Sequence, residues 1–512
     1  MPLLGNAIKR LIRIRSRVKW RKVSPLVYQQ KVLKRLIKKA EHTDFGHHYG
    51  FGSLLDSNQM LNDFRNRIPV FDYNLIYKQW WQKTIDGQRN VCWPGHTKYF
   101  ALSSGTSESS SKRIPITHDQ IRAIKKASIK QILTLANYDL PSSFFEKGIL
   151  MIGGSTNLNK HGHYYEGDLS GISAKKIPFW FNHFYKPGRK ISKQRDWNKK
   201  IDEIVEQAPH WDISVIVGVP SWVQIILEKI IGHYKVKTIH DIWPNLKAFV
   251  HAGVSIEPYR TGFEKLFAKP IFDCDTYLAS EGFIAFQENQ NSTGMRLILN
   301  NSIYYEFIPF DNENFTADGD VLSNAKSFHI GEIKVNQDYA LLLTTCAGAW
   351  RYLIGDVIRF TNKETSEIII TGRTKHYLSL TGEHLSIDNM NHAISELNAS
   401  FDLEIEEFTV AGIPHENLFS HQWFIGCNKS MDELKAAKLL DEILCKLNDD
   451  YAVERKAALK DVIVNFFPNT WFYEWLKANG KEGGQHKFPR VMKGNQLTDW
   501  TKFIEQKKLT EN

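Results

Sequence analysis

Short apolar runs alternate with amphipathic stretches along most of the chain, a pattern that predicts strands interleaved with helices. A capping box at 117–120, with Thr117 as N-cap, opens one predicted helix whose apolar residues recur near helical spacing. Predicted strands occupy 148–152, 213–219, 247–250, 271–274, 303–308, 331–335, 339–345 and 367–371. The alternation predicts a large α/β domain over residues 1–372, with β-sheets flanked by helices.

The last part of the chain has a pattern of its own. A second capping box at 430–433 opens a predicted leucine-rich amphipathic helix, and strands are predicted at 408–412 and 422–426. Residues 371–385 are polar and contain glycine, which is typical of a connection between domains. We therefore predict a smaller, mobile α+β domain over 373–512, joined to the large domain by a hinge.

Length and composition agree with a globular protein of at least two domains. The chain has 512 residues, of which 42% are hydrophobic and 24% charged. This composition is typical of a folded globular protein and not of a mainly disordered one. Its five cysteines lie far apart and form no CxxC pair. This spacing excludes a disulfide framework and a cysteine-ligated zinc site, and it predicts a reducing, cytoplasmic location.

The net charge of +10 comes from one end of the chain. Residues 1–39 hold 13 Lys or Arg and no Asp or Glu, and the remainder has 53 basic and 56 acidic residues. The main body is close to neutral, so we expect no nucleic-acid partner. The basic segment 1–40 is predicted to form surface helices that pack on the body. A weak peripheral contact with anionic lipid, at ~1 kcal/mol per basic residue, is the alternative.

No membrane-spanning or signal segment is predicted. The most apolar stretch, 213–227, is shorter than the roughly 20 residues that cross a bilayer, and Pro220 divides it. Lys9, Arg10 and Arg13 are among the basic residues that interrupt every apolar run near the N-terminus.

The strongest local chemical signal lies at 99–117, where an apolar strand leads into SSGTS, a serine-rich loop and a second strand. Gly105 permits a tight turn, and the backbone N–H groups of such a turn can bind an anion. The surrounding hydroxyls and Lys112 add donors for phosphate oxygens. The spacing differs from that of the ordinary P-loop, and alone such a loop is more often a plain surface turn.

Three further segments follow in a particular order: TYLASEG at 276–282, GAWRYLIGDVI at 348–358 and TGR at 371–373. With SSGTS in front of them, this order resembles that of the adenylate-forming superfamily. The resemblance narrows to the acyl acid amido synthetases, the plant Gretchen Hagen three enzymes and their bacterial relatives. It rests on SSGTS, YYEFIP at 304–309, TTCAGAWRYLIGDVIRF at 344–360, LNDDYAVER at 447–455 and QHKFPR at 485–490.

This resemblance implies a large adenylate-forming domain with a distorted barrel and a small hinged domain. One departure is Trp350, which stands where the family usually has tyrosine. Another is His384, which follows Glu383 at a place where the family often has a more basic residue.

The resemblance also implies a nucleotide site. Tyr277 would stack on adenine, with Tyr304 as a weaker second candidate for the same ring. Asp356 would accept hydrogen bonds from both ribose hydroxyls, because a carboxylate has two acceptor oxygens. Glu281 would bind Mg²⁺ through a hard oxygen ligand. The remaining implied ATP or AMP contacts are Ser103, Ser104, Gly105, Thr106, Ser107, Gly253, Thr276, Ser280 and Arg373.

Lys487, in QHKFPR, is implied as the catalytic residue of the small domain. A carboxylate that attacks the α-phosphorus of ATP redistributes negative charge over phosphate oxygens, and a positioned ammonium stabilises that transition state. A surface lysine is the plain alternative, and Lys493 competes for the role. Lys375 matches the hinge position of the superfamily.

The predicted activity is that of an ATP- and Mg²⁺-dependent acyl acid amido synthetase. A small carboxylic acid is converted to its acyl-adenylate with release of pyrophosphate, and an amine, expected to be an amino acid, then displaces AMP. Residues 151–172 and 217–222 are expected to line the acyl pocket. The alternatives are an acyl-CoA ligase of the same superfamily and a non-enzymatic, membrane-associated protein.

Overall fold

The computed structural model describes most of the chain. The residues outside this description are 1–4, 8, 12–13, 15–23, 104–111, 136–137, 139, 254–255, 257–258, 291, 317–318, 376, 379, 382, 384, 402, 404, 406, 417, 430, 480–487 and 512.

The chain divides into two compact units. The first is built from residues 1–103 and 112–374, and the second contains residues 375–512.

The first unit contains most of the strands and helices. Its strands are β1 (Tyr99–Ser103), β2 (Lys112–Ile116), β3 (Gly148–Met151), β4 (Asn159–His161), β5 (Tyr164–Gly167), β6 (Tyr185–Lys186), β7 (Ile213–Gly218), β8 (Ala248–Ala252), β9 (Phe272–Ala279), β10 (Gly282–Phe286), β11 (Met295–Leu297), β12 (Ile303–Pro309), β13 (Asp338–Thr345), β14 (Tyr352–Asn362) and β15 (Glu367–Arg373). Its α-helices are α1 (Pro25–Ala40), α2 (Asp44–His48), α3 (Phe51–Leu55), α4 (Met60–Arg67), α5 (Tyr73–Ile76), α6 (Gln82–Ile85), α7 (His118–Thr134), α8 (Leu169–Ala174), α9 (Gly188–Ile191), α10 (Trp197–Gln207), α11 (Pro220–Tyr234) and α12 (Arg260–Leu266).

Eleven strands of the first unit form one mixed sheet in the order β12-β13-β14-β15-β11-β10-β9-β8-β7-β3-β6. The strands from β9 to β6 in this order run parallel, and the others pair antiparallel. A separate sheet has the order β2-β1-β5-β4. The mixed α/β class is confirmed, but the expected distorted barrel is not: among the described strands, both sheets are open.

Helix α1 shows how the basic segment near the N-terminus is accommodated. Val32, Leu33 and Leu36 lie on its buried face, as the surface-helix interpretation predicts. The buried Gln29 side chain accepts a hydrogen bond from Tyr305 N at 2.7 Å and donates to the carbonyl of Ile303 at 3.0 Å. Because Gln29 satisfies backbone groups of β12, it fixes α1 against the edge of the large sheet.

Most predicted strands are confirmed within a few residues. Residues 331–335 form turns instead, so that prediction is wrong. Thr117 caps α7 by accepting from Gln120 N at 3.2 Å, but the Gln120 side chain donates to Ser280 O at 2.9 Å rather than back to the cap. Asp356 lies within β14.

The second unit is built around a four-stranded sheet with helices on both faces, and it also contains a separate pair of strands. Its strands are β16 (Tyr377–Leu378), β17 (Leu385–Ser386), β18 (Phe408–His415), β19 (Leu418–Gly426), β20 (Leu459–Phe467) and β21 (Val491–Met492), and its helices are α13 (Ile387–Phe401), α14 (Glu433–Leu447), α15 (Asp449–Ala457), α16 (Asn469–Ala478) and α17 (Gly494–Glu511). The sheet order is β20-β19-β18-β21, and β16 pairs with β17 separately. Successive residues of β18 face opposite sides of the sheet, so Val410 packs in one hydrophobic core and Ala411 in another.

The predicted start of the second capping box, at residue 430, lies two residues before the observed N-cap. Asp432 is the N-cap of α14, and its side chain accepts from Leu434 N and Lys435 N. Leu434 is exposed rather than part of the apolar face, which is formed by residues that include Leu440 and Leu444.

A fully buried Glu383–His421 pair lies inside the second unit, with 2.9 Å between Glu383 Oε1 and His421 Nε2. Glu383 also accepts hydrogen bonds from Leu380 N and from Thr381 N, each at 2.9 Å. Burial opposes ionisation, but the His421 hydrogen bond and charge and the backbone N–H groups outweigh it and lower the pKa of Glu383 to about 2.

We expect Glu383→Gln to reduce the free energy of unfolding of the second unit by about 3 kcal/mol, because it removes the charged acceptor of several buried hydrogen bonds. The measurement is urea unfolding at neutral pH. Since the folded-state pKa of Glu383 is lowered to about 2, the contribution is complete above the unfolded pKa of about 4 and is lost as the pH falls toward the folded value. The difference between variant and wild type should therefore shrink in acid.

Glu396→Gln is the matched control, since Glu396 makes a His392 contact of 2.8 Å on the surface. We expect this change to cost less than about 1 kcal/mol. Equal effects of the two substitutions would contradict a stabilising role for the buried pair.

Candidate functional site

The parallel half of the large sheet brings four strand ends to one edge. Met151 of β3 is in register with Val217 of β7, Gly218 of β7 with His251 of β8, and Ala252 of β8 with Thr276 of β9. The segments that follow these strands therefore lie side by side. In open α/β sheets ligands bind outside the carboxyl ends of the strands, so this edge is the candidate site.

Tyr277, Asp356 and Arg373 meet beside this edge. The Tyr277 hydroxyl donates a hydrogen bond to Asp356 Oδ2, and Arg373 Nε lies 2.9 Å from Asp356 Oδ1. Asp356 and Arg373 are also register partners of β14 and β15. Gly355 adopts a φ of 94° just before Asp356, and the register of the two strands shifts just after it, at Val357/Ile358. The local backbone therefore departs from a regular ladder where the carboxylate is presented.

Glu281 adds a second carboxylate to this group. It lies with Ser280 in the two-residue connection between β9 and β10, where Gly282 and Ala279 are register partners. The pKa of Glu281 is raised to about 7, because burial and the nearby Asp356 carboxylate outweigh the lowering effects of its backbone hydrogen bond, Lys112 and Arg373. The Glu281 carboxyl group is therefore within electrostatic range of Lys112, Arg373 and Asp356.

The other described residues predicted to bind nucleotide occupy different positions. Gly253 directly follows β8, is exposed and has a φ of 91°, so its backbone is accessible at the edge. Thr276 accepts a hydrogen bond from Gln131 Nε2 at 2.7 Å. Ser103 ends β1, in register with Lys112 at the start of β2.

Two tyrosines were predicted for the adenine ring. Tyr304 is 1% exposed and packs edge-to-face on Phe64, with ring centroids 6.0 Å apart, so the structure places it in the core rather than with Asp356. Stacking of Tyr277 on adenine stays a prediction, since its ring is 6% exposed and its hydroxyl contacts Asp356.

Several predicted site residues lie outside the described residues: Ser104, Gly105, Thr106, Ser107 and Lys487. Lys375, the predicted hinge residue, is the first residue of the second unit and directly follows Thr374 of the first. Its role in a hinge motion stays a prediction.

The family-like block at 344–360 is anchored by residues around Arg351. Arg351 has a φ of 42° and its Nε lies 3.0 Å from Glu306 Oε2, in a buried ion pair. Trp350 is fully buried and donates through Nε1 to the Cys92 carbonyl at 3.1 Å, with its ring stacked 5.5 Å from Phe45. The departure at Trp350 is thus a matter of core packing, not of ligand contact.

Sequence reasoning missed one interaction of this site. Lys112 was noted only as a phosphate donor, whereas its electrostatic effect on Glu281 depends on the fold of the chain.

The fold is similar to those of adenylate-forming enzymes. A GH3.15 acyl acid amido synthetase is 15% identical with a TM-score of 0.60, covering 97% of this chain and 96% of that one. A 2-hydroxyisobutyryl-CoA ligase, solved with 2-HIB-AMP and CoA, is 14% identical with a TM-score of 0.57, covering 93% and 92%.

Sequence comparison gives the family. Models of the GH3 family N-terminal, central and C-terminal domains match residues 22–201, 296–373 and 388–496. The chain belongs to the GH3 family, as its motifs predict. A probable indole-3-acetic acid-amido synthetase GH3.11 of Oryza sativa subsp. japonica is 31% identical over 289 residues, covering 50% of this chain. The chain spans 26%, 24% and 47% of the length of three curated relatives that it matches.

Other expectations concern metals, membranes and cysteines. The described residues contain no group of three or more His, Cys, Asp or Glu side chains that could hold a metal ion. No described helix is both long and apolar enough to cross a lipid bilayer. The cysteines Cys92, Cys274, Cys346, Cys427 and Cys445 are free.

Proposed function

We propose that this protein is an ATP-dependent acyl acid amido synthetase. It adenylates a small carboxylic acid, releases pyrophosphate and transfers the acyl group to an amine with release of AMP. The observation that carries the proposal is the convergence of Tyr277, Asp356, Arg373 and Glu281 at the carboxyl edge of the parallel strands. Membership of the GH3 family supports the same activity.

Asp356 is the ribose-binding residue in this proposal. Its carboxylate oxygens contact Tyr277 and Arg373, which orient it and leave it 14% exposed. Ribose hydroxyls can donate to the remaining lone pairs of these oxygens. Arg373 pairs with the carboxylate and offers further N–H donors near the phosphates.

Glu281 and the bound phosphates would hold Mg²⁺. The site fits such an ion, because Mg²⁺ in nucleotide sites uses one or two carboxylates together with substrate phosphates and water. When bound, Mg²⁺ neutralises the pyrophosphate leaving group. Lys112 balances the charge of Glu281 in the protein itself.

The acyl acid is proposed to lie along the edge between Gly253 and the ends of β3 and β7. Cytoplasmic location is part of the proposal and is supported by the wide spacing of the five cysteines along the sequence. The proposed function does not require a peripheral lipid contact of the N-terminal basic segment.

The proposal predicts acid-dependent exchange of labelled pyrophosphate into ATP. The test uses a panel of acids that begins with indole-3-acetic acid, followed by mass spectrometry of mixtures that contain all common amino acids or CoA. We expect an amide and AMP in equal amounts. A thioester with CoA and no amide would support an acyl-CoA ligase instead, and no exchange with any acid would favour a non-enzymatic protein.

A further inference from the structure

Gln120 lies in the first turn of α7 and is 2% exposed. Its side chain donates through Nε2 to the backbone carbonyl of Ser280 at 2.9 Å, although the two residues are 160 positions apart along the chain. Ser280 and Glu281 form the connection between β9 and β10. This hydrogen bond therefore joins α7 directly to the backbone that carries Glu281.

The needs of α7 itself do not account for the Gln120 amide. The N-cap of this helix is Thr117, whose hydroxyl accepts from Gln120 N, and the Gln120 side chain does not return to the cap. Its Oε1 is buried and accepts no hydrogen bond from the part of the chain that the structure describes. Buried polar groups are usually paired, so the bond to the Ser280 carbonyl is the main contribution of this side chain.

Helix α7 is tied to the sheet at both of its ends. The Thr117 hydroxyl donates to the Cys346 carbonyl at 2.6 Å. Near the other end of the helix, Gln131 donates through Nε2 to Thr276 Oγ1 on β9 at 2.7 Å. Gln120 and Gln131 are 11 residues apart, which is about three helical turns, so both amides lie on the side of α7 that faces β9. Gln120 therefore acts on the connection from a fixed support.

The position of Glu281 depends on such support. Its side chain is 7% exposed, and a second carboxylate, that of Asp356, acts on it together with the cations Lys112 and Arg373. Repulsion between the two carboxylates tends to displace Glu281, whereas a fixed backbone keeps its side chain in place. Outer groups that orient a metal-binding carboxylate change metal affinity about 10- to 100-fold.

We infer that Gln120 is a positioning residue, which holds the β9–β10 connection so that Glu281 presents its carboxylate to the metal bound with ATP. The inference rests on the proposed function, in which Glu281 and the phosphates hold Mg²⁺. Gln120 contacts neither substrate nor metal, and its effect is transmitted through the backbone of Ser280.

The test is calorimetry of ATP binding, with no carboxylic acid present, in excess Mg²⁺ and in EDTA. Gln120→Met keeps the length of the side chain but removes its donor, and we expect the gain in ATP affinity caused by Mg²⁺ to fall about 10-fold. Affinity in EDTA should be unchanged, because the nucleotide residues are intact. Gln120→Asn, whose amide is one methylene shorter and cannot reach the Ser280 carbonyl, should behave in the same way.

Gln131→Met is the matched control, because it removes the same amide from the same side of α7 and also breaks a hydrogen bond to β9. It leaves the bond to Ser280 in place, so the gain caused by Mg²⁺ should be retained. An equal fall in Gln131→Met, or an equal loss of affinity in EDTA, would overturn the inference, since either result would indicate a general loss of order. A full gain in Gln120→Met would overturn it as well. Failure of the proposed function is distinct, since the wild type would then show no acid-dependent exchange of pyrophosphate.

Discussion

Asp356→Ala is expected to lower kcat/KM for ATP in pyrophosphate exchange about 1,000-fold. The substitution removes the acceptor of both ribose hydroxyls, and each hydrogen bond to a charged group contributes about 1.5–3 kcal/mol. It also removes the group that contacts Tyr277 and Arg373, so these side chains lose their orientation. The measurement is exchange over a range of ATP concentrations, with the effect mainly in KM.

Asp338→Ala provides the matched control for this result. Asp338 also pairs with an arginine across antiparallel strands of the same sheet, since its Oδ2 lies 2.8 Å from Arg359 Nη2. We expect the control to retain exchange within about 3-fold, because an exposed pair contributes little. If both variants lost activity equally, the effect of Asp356 would be one of sheet stability and not of ribose binding.

Lys487→Ala is expected to reduce adenylation about 100- to 1,000-fold, because it removes a positive charge from a phosphoryl-transfer transition state. Aminolysis of added acyl-AMP should be unchanged within about 3-fold, since that step transfers no phosphoryl group. The two half-reactions are measured separately, by pyrophosphate exchange and by amide formation from synthetic acyl-AMP.

Lys493→Ala is the control for this substitution, since Lys493 is an exposed lysine a few residues away. It should leave both half-reactions intact. Equal losses in the two half-reactions of Lys487→Ala would argue against a half-reaction-specific lysine, and a larger loss in Lys493→Ala would transfer the role to that residue.

Much of the fold could be predicted because the strands are apolar and well separated. The 213–219 and 339–345 predictions match β7 and β13 closely. The 331–335 prediction fails because an alternating apolar pattern in a short segment also suits turns whose side chains pack on a neighbouring core. Ile330 and Ile333 are both buried there without joining a strand.

Part of the site could be predicted, because each motif is recognisable from a short stretch of sequence. The residues that contact the motif lie elsewhere along the chain and could not be identified in this way. Asp356 was recognisable from its block, whereas its contacts with Tyr277 and Arg373 depend on sheet order. Tyr304, in a family-like motif, lies in the core of the first unit, and its contact with adenine stays a prediction.

The most direct test follows oxygen from the acid to the nucleotide. The protein is incubated with ATP, an amino acid and a carboxylic acid whose carboxyl oxygens carry a heavy isotope. If an acyl-adenylate forms and is opened by the amine, one heavy oxygen must appear in AMP and the other in the amide. Amide formation with ADP as the product, and the heavy oxygen in inorganic phosphate, would contradict adenylation by this protein.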